Sequence, residues 1–240
     1  MTLEWSLLGE GAPERLLLAA VADGMGGHEG GEIASRLVAR ALGDSIATGL
    51  SRAPLEGLEL GSDTLATLLE RGVAAASARV AEAGEHGLVE MGTTLCAALV
   101  TASGACVANV GDSRAYLIDG GAQQITTDHS LVQRLVDQGA ITPAEALDHP
   151  NRHEIYRMIG FGRQAQPDLF ALPLQPGDVL LLCSDGLSNL VSPAELAGAF
   201  DGQPPLGPAV DSLIRLALDR GAPDNVTAVA VRLRSGEVGS

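Results

Sequence analysis

An α+β fold with antiparallel sheets is predicted by three features of this 240-residue chain. Two long stretches, residues 31–49 and 63–83, carry apolar side chains at helical spacing. Between residues 93 and 125 the period changes to four short runs rich in Val, Thr, Leu and Ala, separated by tight turns and without the long crossovers that parallel pairing needs. Two further apolar runs, residues 16–22 and 179–183, lead into Asp-Gly pairs.

Taken in order, residues 5–8 and 16–22 are predicted to pair as a hairpin across GEGAPE, a loop of turn formers. The second strand stops at Asp23, where the glycines of DGMGGHEGG let backbone groups approach a cation or an anion that side chains would keep away. A helix starts at Gly30 or Gly31 with Ile33, Leu37, Val38, Leu42 and Ile46 on one face. Asp63 or Thr64 caps a second helix, whose stripe is Leu65, Leu68, Leu69, Val73, Ala76 and Val80. Two adjacent amphipathic helices imply a helical layer laid over a flat one.

Residues 93–100, 104–110, 114–119 and 122–125 read as an antiparallel meander in which NVGDSRAY sets Asp112 and Arg114 at a hairpin tip. DHSLVQRLVD carries a short helix capped by Asp128 or Ser130, and Thr142, Pro143 and Glu145 make a capping-box sequence. Residues 149–160 are polar and interrupted, a surface excursion. His149 and His153 stand four apart, as zinc ligands on a helix would, but Pro150 argues against that helix. The strand 179–183 follows, then a second capping box in SPAEL, a third amphipathic helix over 208–220, and a last strand alternating through 226–231 just after Asp224. Residues 1–235 are expected to form one domain, with 236–240 a polar tail.

Composition narrows the function. Fifteen basic against thirty acidic residues give a net charge of −15, which argues against nucleic acid or an anionic membrane as a partner. The same charge repels phosphate esters unless bound cations reverse the field locally. No signal peptide is evident and no run approaches the roughly 18 apolar residues of a membrane span. Cys96, Cys106 and Cys183 form no CxxC pair and lie in apolar runs, which reads as buried free thiols in a reducing, cytoplasmic compartment.

Three aspartates, Asp23, Asp185 and Asp224, adjoin apolar strands. If those strands are neighbours, three carboxylates converge, and they cannot all stay ionised without a cation between them. Oxygen ligands alone favour Mg²⁺ or Mn²⁺ over zinc or copper. Asp112 is a fourth acid within possible reach, which makes room for two or three ions. A pair of ions about 4 Å apart would activate a bridging water and neutralise charge building on a phosphoryl group.

The motifs VADGMGGHEGGEIAS, GTTLCAAL, NVGDSRAYLI, ITTDHSLVQRLVDQGAITPAEA, GDVLLLCSDGLSNLV and DNVTAVAV occur in an order and spacing that resemble the metal-dependent protein phosphatases of type 2C (the PP2C or PPM family) in their short bacterial form. The resemblance covers about residues 16–233. It implies a four-layer α-β-β-α sandwich, two antiparallel sheets flanked by helices, and hydrolysis of phosphoserine or phosphothreonine in proteins by direct attack of an activated water. It implies that Asp23 bridges two Mn²⁺ or Mg²⁺ ions, that the Gly24 carbonyl serves the second, that Asp185 and Asp224 serve the first, and that Asp112 with Asp185 holds a weaker third. Residues 139–160 resemble the family's flap beside the cleft. The family's general-acid histidine falls at Met25, which leaves His28 as the nearby candidate for proton transfer. The partners implied are phosphorylated proteins, including a bacterial Ser/Thr kinase and its substrates, in signal transduction by a monomer.

One departure stands out. Bacterial members carry an arginine and an Asn-Glu-Asp or Asn-Gln-Asp group upstream of VADG. Here Glu4-Trp5-Ser6 occupies that distance, so that Glu4 matches the middle acid as a metal-ligand candidate and Trp5 replaces the aspartate. The arginine has no counterpart, and the expectation is a native start further upstream. The alternative is a weakly active or non-catalytic binding module on the same fold.

Overall fold

The computed structural model describes residues 1–7, 14–25, 28–52, 60–85, 91–160 and 165–233. Strands β1 (Thr2–Leu7) and β2 (Glu14–Val21) form the expected hairpin, and the short β3 (Gly24–Met25) leads to helices α1 (His28–Arg52) and α2 (Ser62–Glu85). Next come β4 (Gly92–Thr93), β5 (Leu95–Thr101), β6 (Gly104–Val110), β7 (Arg114–Ile118), β8 (Ala122–Gln124), α3 (Leu131–Asp137) and α4 (Pro143–Leu147). The chain ends with β9 (Ile159–Gly160), β10 (Asp168–Leu172), β11 (Val179–Cys183), α5 (Asp185–Ser188), α6 (Pro193–Gly198), α7 (Leu206–Asp219) and β12 (Ala228–Arg232). One antiparallel sheet runs β1-β2-β5-β6-β10 and a second runs β12-β11-β7-β8, with a small β3-β4-β9 sheet beside them.

Alternation along the strands builds the layers. Leu16, Leu18, Leu95, Ala97, Leu99 and Ala108 face the stripe of α1 and α2, while Ala19, Val21, Cys96, Ala98 and Val107 face the other way. There they meet Ala115, Leu180 and Leu182 of the second sheet, whose outer face, Tyr116, Leu181 and Cys183, is covered by Leu196, Leu213 and Ala217 of α6 and α7. Helices, sheet, sheet, helices is the predicted α+β sandwich. Each fully buried Leu or Val contributes about 1.5–3 kcal/mol, and with few aromatic residues the sum depends on many small aliphatic ones. All three cysteines are buried and unpaired.

Two expectations change. The four central strands are not one meander: β5 and β6 pair in the first sheet, β7 and β8 in the second, and Gly111 to Ser113 crosses between them. Asp112 therefore lies at a crossing between sheets, not at a hairpin tip. The inner faces of both sheets are lined by the same small aliphatic residues, so the pattern alone cannot assign a strand to either. Helix α1 also starts at His28, before Gly30 and Gly31. A Cβ on Gly31 would stand 2.6 Å from the Gly24 carbonyl, so this glycine serves a close approach and marks no helix boundary.

Local signals at α4 and α6 behave as read, with full capping boxes at Thr142/Glu145 and Ser192/Glu195. At α6, Ser192 N–H donates to Glu195 Oε2 at 2.9 Å, and Arg220 from the end of α7 grips the same carboxylate. Ser192→Ala is expected to cost about 1 kcal/mol, read as a lower urea midpoint at unchanged slope.

Candidate metal centre

Asp23 follows the buried end of β2, and its backbone is clamped by GTTL. Its N–H donates to Thr94 Oγ1 at 3.0 Å, while its carbonyl accepts from Thr94 N–H at 2.8 Å and from Thr93 Oγ1 at 2.9 Å. The Thr94 hydroxyl lies 2.7 Å from Ser113 Oγ, and Gly111, at φ +110°, packs so closely on Thr94 that a Cβ would come within 2.7 Å of it. One threonine thus joins the Asp23 turn to the Asp112 crossing. Gly24 has no room for a side chain either, since a Cβ would stand 2.0 Å from the Gly31 carbonyl oxygen.

Asp185 opens α5 just past β11, and Asp224 precedes β12, the neighbour of β11. Ser184 stitches the two segments: its N–H donates to Thr227 O at 3.0 Å, Thr227 N–H donates to its Oγ at 3.1 Å, and that hydroxyl donates to Asn225 O at 3.2 Å. A Cβ on Gly186 would sit 2.3 Å from Asn225 O, so only glycine lets the Asp185 and Asp224 turns meet. Gly186→Ala is expected to push them apart and weaken Mn²⁺ binding by about tenfold, measured by titration of the folded protein.

Asp23, Gly24, Asp112, Asp185 and Asp224 all line one cleft of about 750 Å³. The same cleft is lined by Leu147 at the end of α4 and by Asp148, Arg152 and His153 after it. A larger groove of about 1050 Å³ lies between α1 and α2, but its Arg40, Asp44, Asp63 and Arg71 form no comparable set of acids.

Crowding is visible in the protonation of these acids. Burial, then the charges of Asp185 and Asp224, and a hydrogen bond with Asp185 push the Asp23 carboxyl up to about 7. Burial followed by Asp185 and Asp128 pushes Asp112 up to about 7. Asp185 is also raised, by burial and then by Asp224, with His153 opposing. The interaction between the Asp23 and Asp185 carboxyls acts in opposite senses on the two, raising Asp23 and lowering Asp185. Among the described residues no three His, Cys, Asp or Glu side chains form a closed ligand cluster. The four acids face one cleft. Oxygen donors alone, facing one space and retaining protons for want of a counter-charge, fit a hard divalent cation.

Glu4 is not part of this set. Thr2 pairs with Ala19 and Glu4 with Leu17, so β1 runs away from the Asp23 end of β2, and Glu4 lies exposed 3.5 Å from Arg15. His28 opens α1, but its side chain, like Gly26 and Gly27, is outside the described residues. Residues 150–153 form turns, so no helix presents His149 and His153 together. Arg114 is committed to Asp128 through a fork, Nε to Oδ1 at 2.9 Å and Nη2 to Oδ2 at 2.7 Å. Sequence reasoning missed Thr94 and Arg152, whose only signals were the hydroxyl pair in GTTL and the cluster of charge in HPNRHE, and weighed His153 only as a zinc ligand with His149.

Comparison with known proteins agrees with this geometry. The family model "Protein phosphatase 2C" matches residues 7–226. The chain is 36% identical to the serine/threonine phosphatase stp of Listeria innocua, over 89% of this chain and 83% of that protein. It is 44% identical to the serine/threonine protein phosphatase PstP of Mycobacterium tuberculosis over 88% of this chain, and spans only 39% of that longer protein. A crystal structure of the PstP catalytic domain in complex with two manganese ions superposes with a TM-score of 0.71 at 38% identity, covering 96% of each chain. By fold, by motif order and by the acids brought to one cleft, the chain belongs to the protein phosphatase 2C family.

Proposed function

We propose that this chain hydrolyses phosphoserine and phosphothreonine in proteins, using two divalent ions, Mn²⁺ or Mg²⁺. The observation that carries the reading is the meeting of Asp23, Asp112, Asp185 and Asp224, from separate strand ends, in one cleft where two of them are held up at about 7. Asp23 with the Gly24 carbonyl, and Asp185 with Asp224, would hold the two ions, and Asp112 with Asp185 a weaker third. When bound, such ions supply Lewis-acid neutralisation of the phosphoryl group and a more acidic water.

The chain's own part is to bind and to exclude. Four carboxylates make the cleft hostile to phosphate by themselves, so a phosphoester is admitted only once cations reverse its field. Residues 139–160 act as a flap, with Leu147 left 69% exposed for a protein substrate and Arg152 and His153 reaching into the cleft. We place these elements in one phosphatase domain over residues 1–235, acting as a monomer. Its expected partners are a bacterial Ser/Thr kinase and that kinase's substrates. Three buried free thiols suit a reducing, cytoplasmic setting; among the described residues, no helix is long and apolar enough to cross a membrane.

The test is hydrolysis of a phosphothreonine peptide by the chain with Mn²⁺. Release of phosphate that stops with chelator and returns with Mn²⁺ is the expected result. A folded sample that binds the peptide without hydrolysing it would favour the binding-module alternative.

A further inference from the structure

His129 is not among the residues that line the acidic cleft, and nothing in the proposed chemistry uses it. The residue is 1% exposed, and both ring nitrogens are committed. Gly111 N–H donates to Nδ1 at 3.0 Å, and Nε2 lies 3.1 Å from Asp168 Oδ2. A ring nitrogen that accepts carries no proton, so the ring is the neutral form with its hydrogen on Nε2, donated to Asp168. His129 also grips Gly111 from the other side, its backbone N–H donating to Gly111 O at 2.9 Å. His129 thus engages both polar groups of the glycine just before Asp112, with Asn109 Nδ2 also donating to Gly111 O at 3.2 Å, and Thr94 packs where a Cβ on this glycine would lie.

The far side of His129 is anchored as firmly. Asp168 shares its carboxylate with Arg157 Nη1, the His129 carbonyl accepts from Tyr156 N–H at 2.9 Å, and the Tyr156 ring stands 5.8 Å from the imidazole. The neighbouring Asp128 is fixed to β7 by the Arg114 fork. The imidazole therefore ties this frame to the Val110–Gly111 peptide, while the His129 backbone N–H holds the Gly111–Asp112 peptide that follows it.

We propose that His129, as the Nε2–H tautomer, is a positioning residue that sets the Asp112 carboxylate at the geometry needed to hold its divalent ion. The proposal rests on the metal-dependent reading above and adds a residue that touches neither ion nor substrate. Second-layer groups of this kind are worth about 10–100-fold in metal affinity.

Two substitutions separate the two bonds of the ring. An asparagine at 129 puts its amide oxygen near the place of Nδ1 and keeps the acceptor for Gly111. A glutamine reaches the place of Nε2, keeps the donor to Asp168 and gives up Gly111. Free Mn²⁺ is followed by electron paramagnetic resonance during titration of each folded protein, and exchange of the Gly111 amide hydrogen by NMR. His129→Gln is expected to lose protection of that amide and to weaken the Asp112-dependent Mn²⁺ equivalent about tenfold, as measured against Asp112→Asn. His129→Asn is expected to keep the amide protected and to bind within about twofold of wild type. Equal behaviour of the two variants, whether both like wild type or both equally impaired, overturns the positioning role. If neither folds, Asp168→Ala releases the ring from its half-exposed end, and unchanged Mn²⁺ affinity in that variant overturns the proposal. A wild-type protein that binds no Mn²⁺ would instead refute the metal reading itself.

Discussion

Asp185→Asn is expected to abolish phosphothreonine hydrolysis and, in the absence of metal, to make the protein more stable. Asp185 stands at the centre of the acids: its charge is among the groups that raise both Asp23 and Asp112, and its own carboxyl is raised by Asp224. Asparagine keeps the shape and can still accept from Asn189, which now donates to Asp185 Oδ2 at 3.1 Å. What it loses is the charge. Without it the site cannot hold its ions, and kcat/KM should fall by about 10³-fold or more, roughly 4 kcal/mol of transition-state stabilisation. The same change relieves like-charge repulsion inside a partly buried cleft, so calorimetry with chelator present should show a melting temperature a few degrees above wild type. A variant that melts below wild type without metal would refute the crowding argument. One that keeps its activity would refute the metal centre.

The parts of this molecule that were legible in the sequence are those whose cause lies within a few residues. The capping boxes at Thr142 and Ser192 are complete in four residues each, and the strand 179–183 is continuous in side-chain type. Asp23 and Asp185 were legible because an aspartate at the end of an apolar run, followed by glycine, has few structural uses. What was hidden depends on register and long-range pairing. That Glu4 falls opposite Leu17, far from Asp23, follows from a ladder that no local pattern specifies. The assignment of β7 and β8 to a second sheet was hidden for the same reason. His129 looked like one polar residue in DHSL, because its two ring partners lie 18 and 39 positions away. Gly31 misled in the opposite direction: a residue that serves close contact with Gly24 looked like the start of a helix.

Metal-free protein is expected to lose stability as pH rises from about 4 to about 7, and Mn²⁺ is expected to restore it by an amount that grows over the same range. Asp23 and Asp112 have folded values of about 7 against 3.8 for a free carboxyl, so in this window the folded state holds protons that the unfolded chain has released. Stability from these groups is complete below 3.8 and is lost as pH climbs through 7. The shifts cap the effect at about 4 kcal/mol for each group. Both acids are partly solvated and both respond to the same Asp185, so about 2–4 kcal/mol together is the expected size. His129 works in the opposite sense: burial lowers its value, so its contribution is present above 6.5 and fades as pH falls below that. Asp168, lowered by its bonds to His129 and Arg157 despite some burial, contributes above 3.8 and fades only in more acid solution. Neither of these groups lines the cleft, so comparing melting temperatures with and without Mn²⁺ at each pH largely cancels them. Divalent ions that bind the ionised carboxylates would displace the protons on Asp23 and Asp112 and add the mass-action term of about 4 kcal/mol at a thousandfold excess over the dissociation constant. The gap in melting temperature should therefore be small at pH 5 and widest above pH 7. A gap that is constant with pH would mean that the acids of this cleft are not the groups that meet the metal.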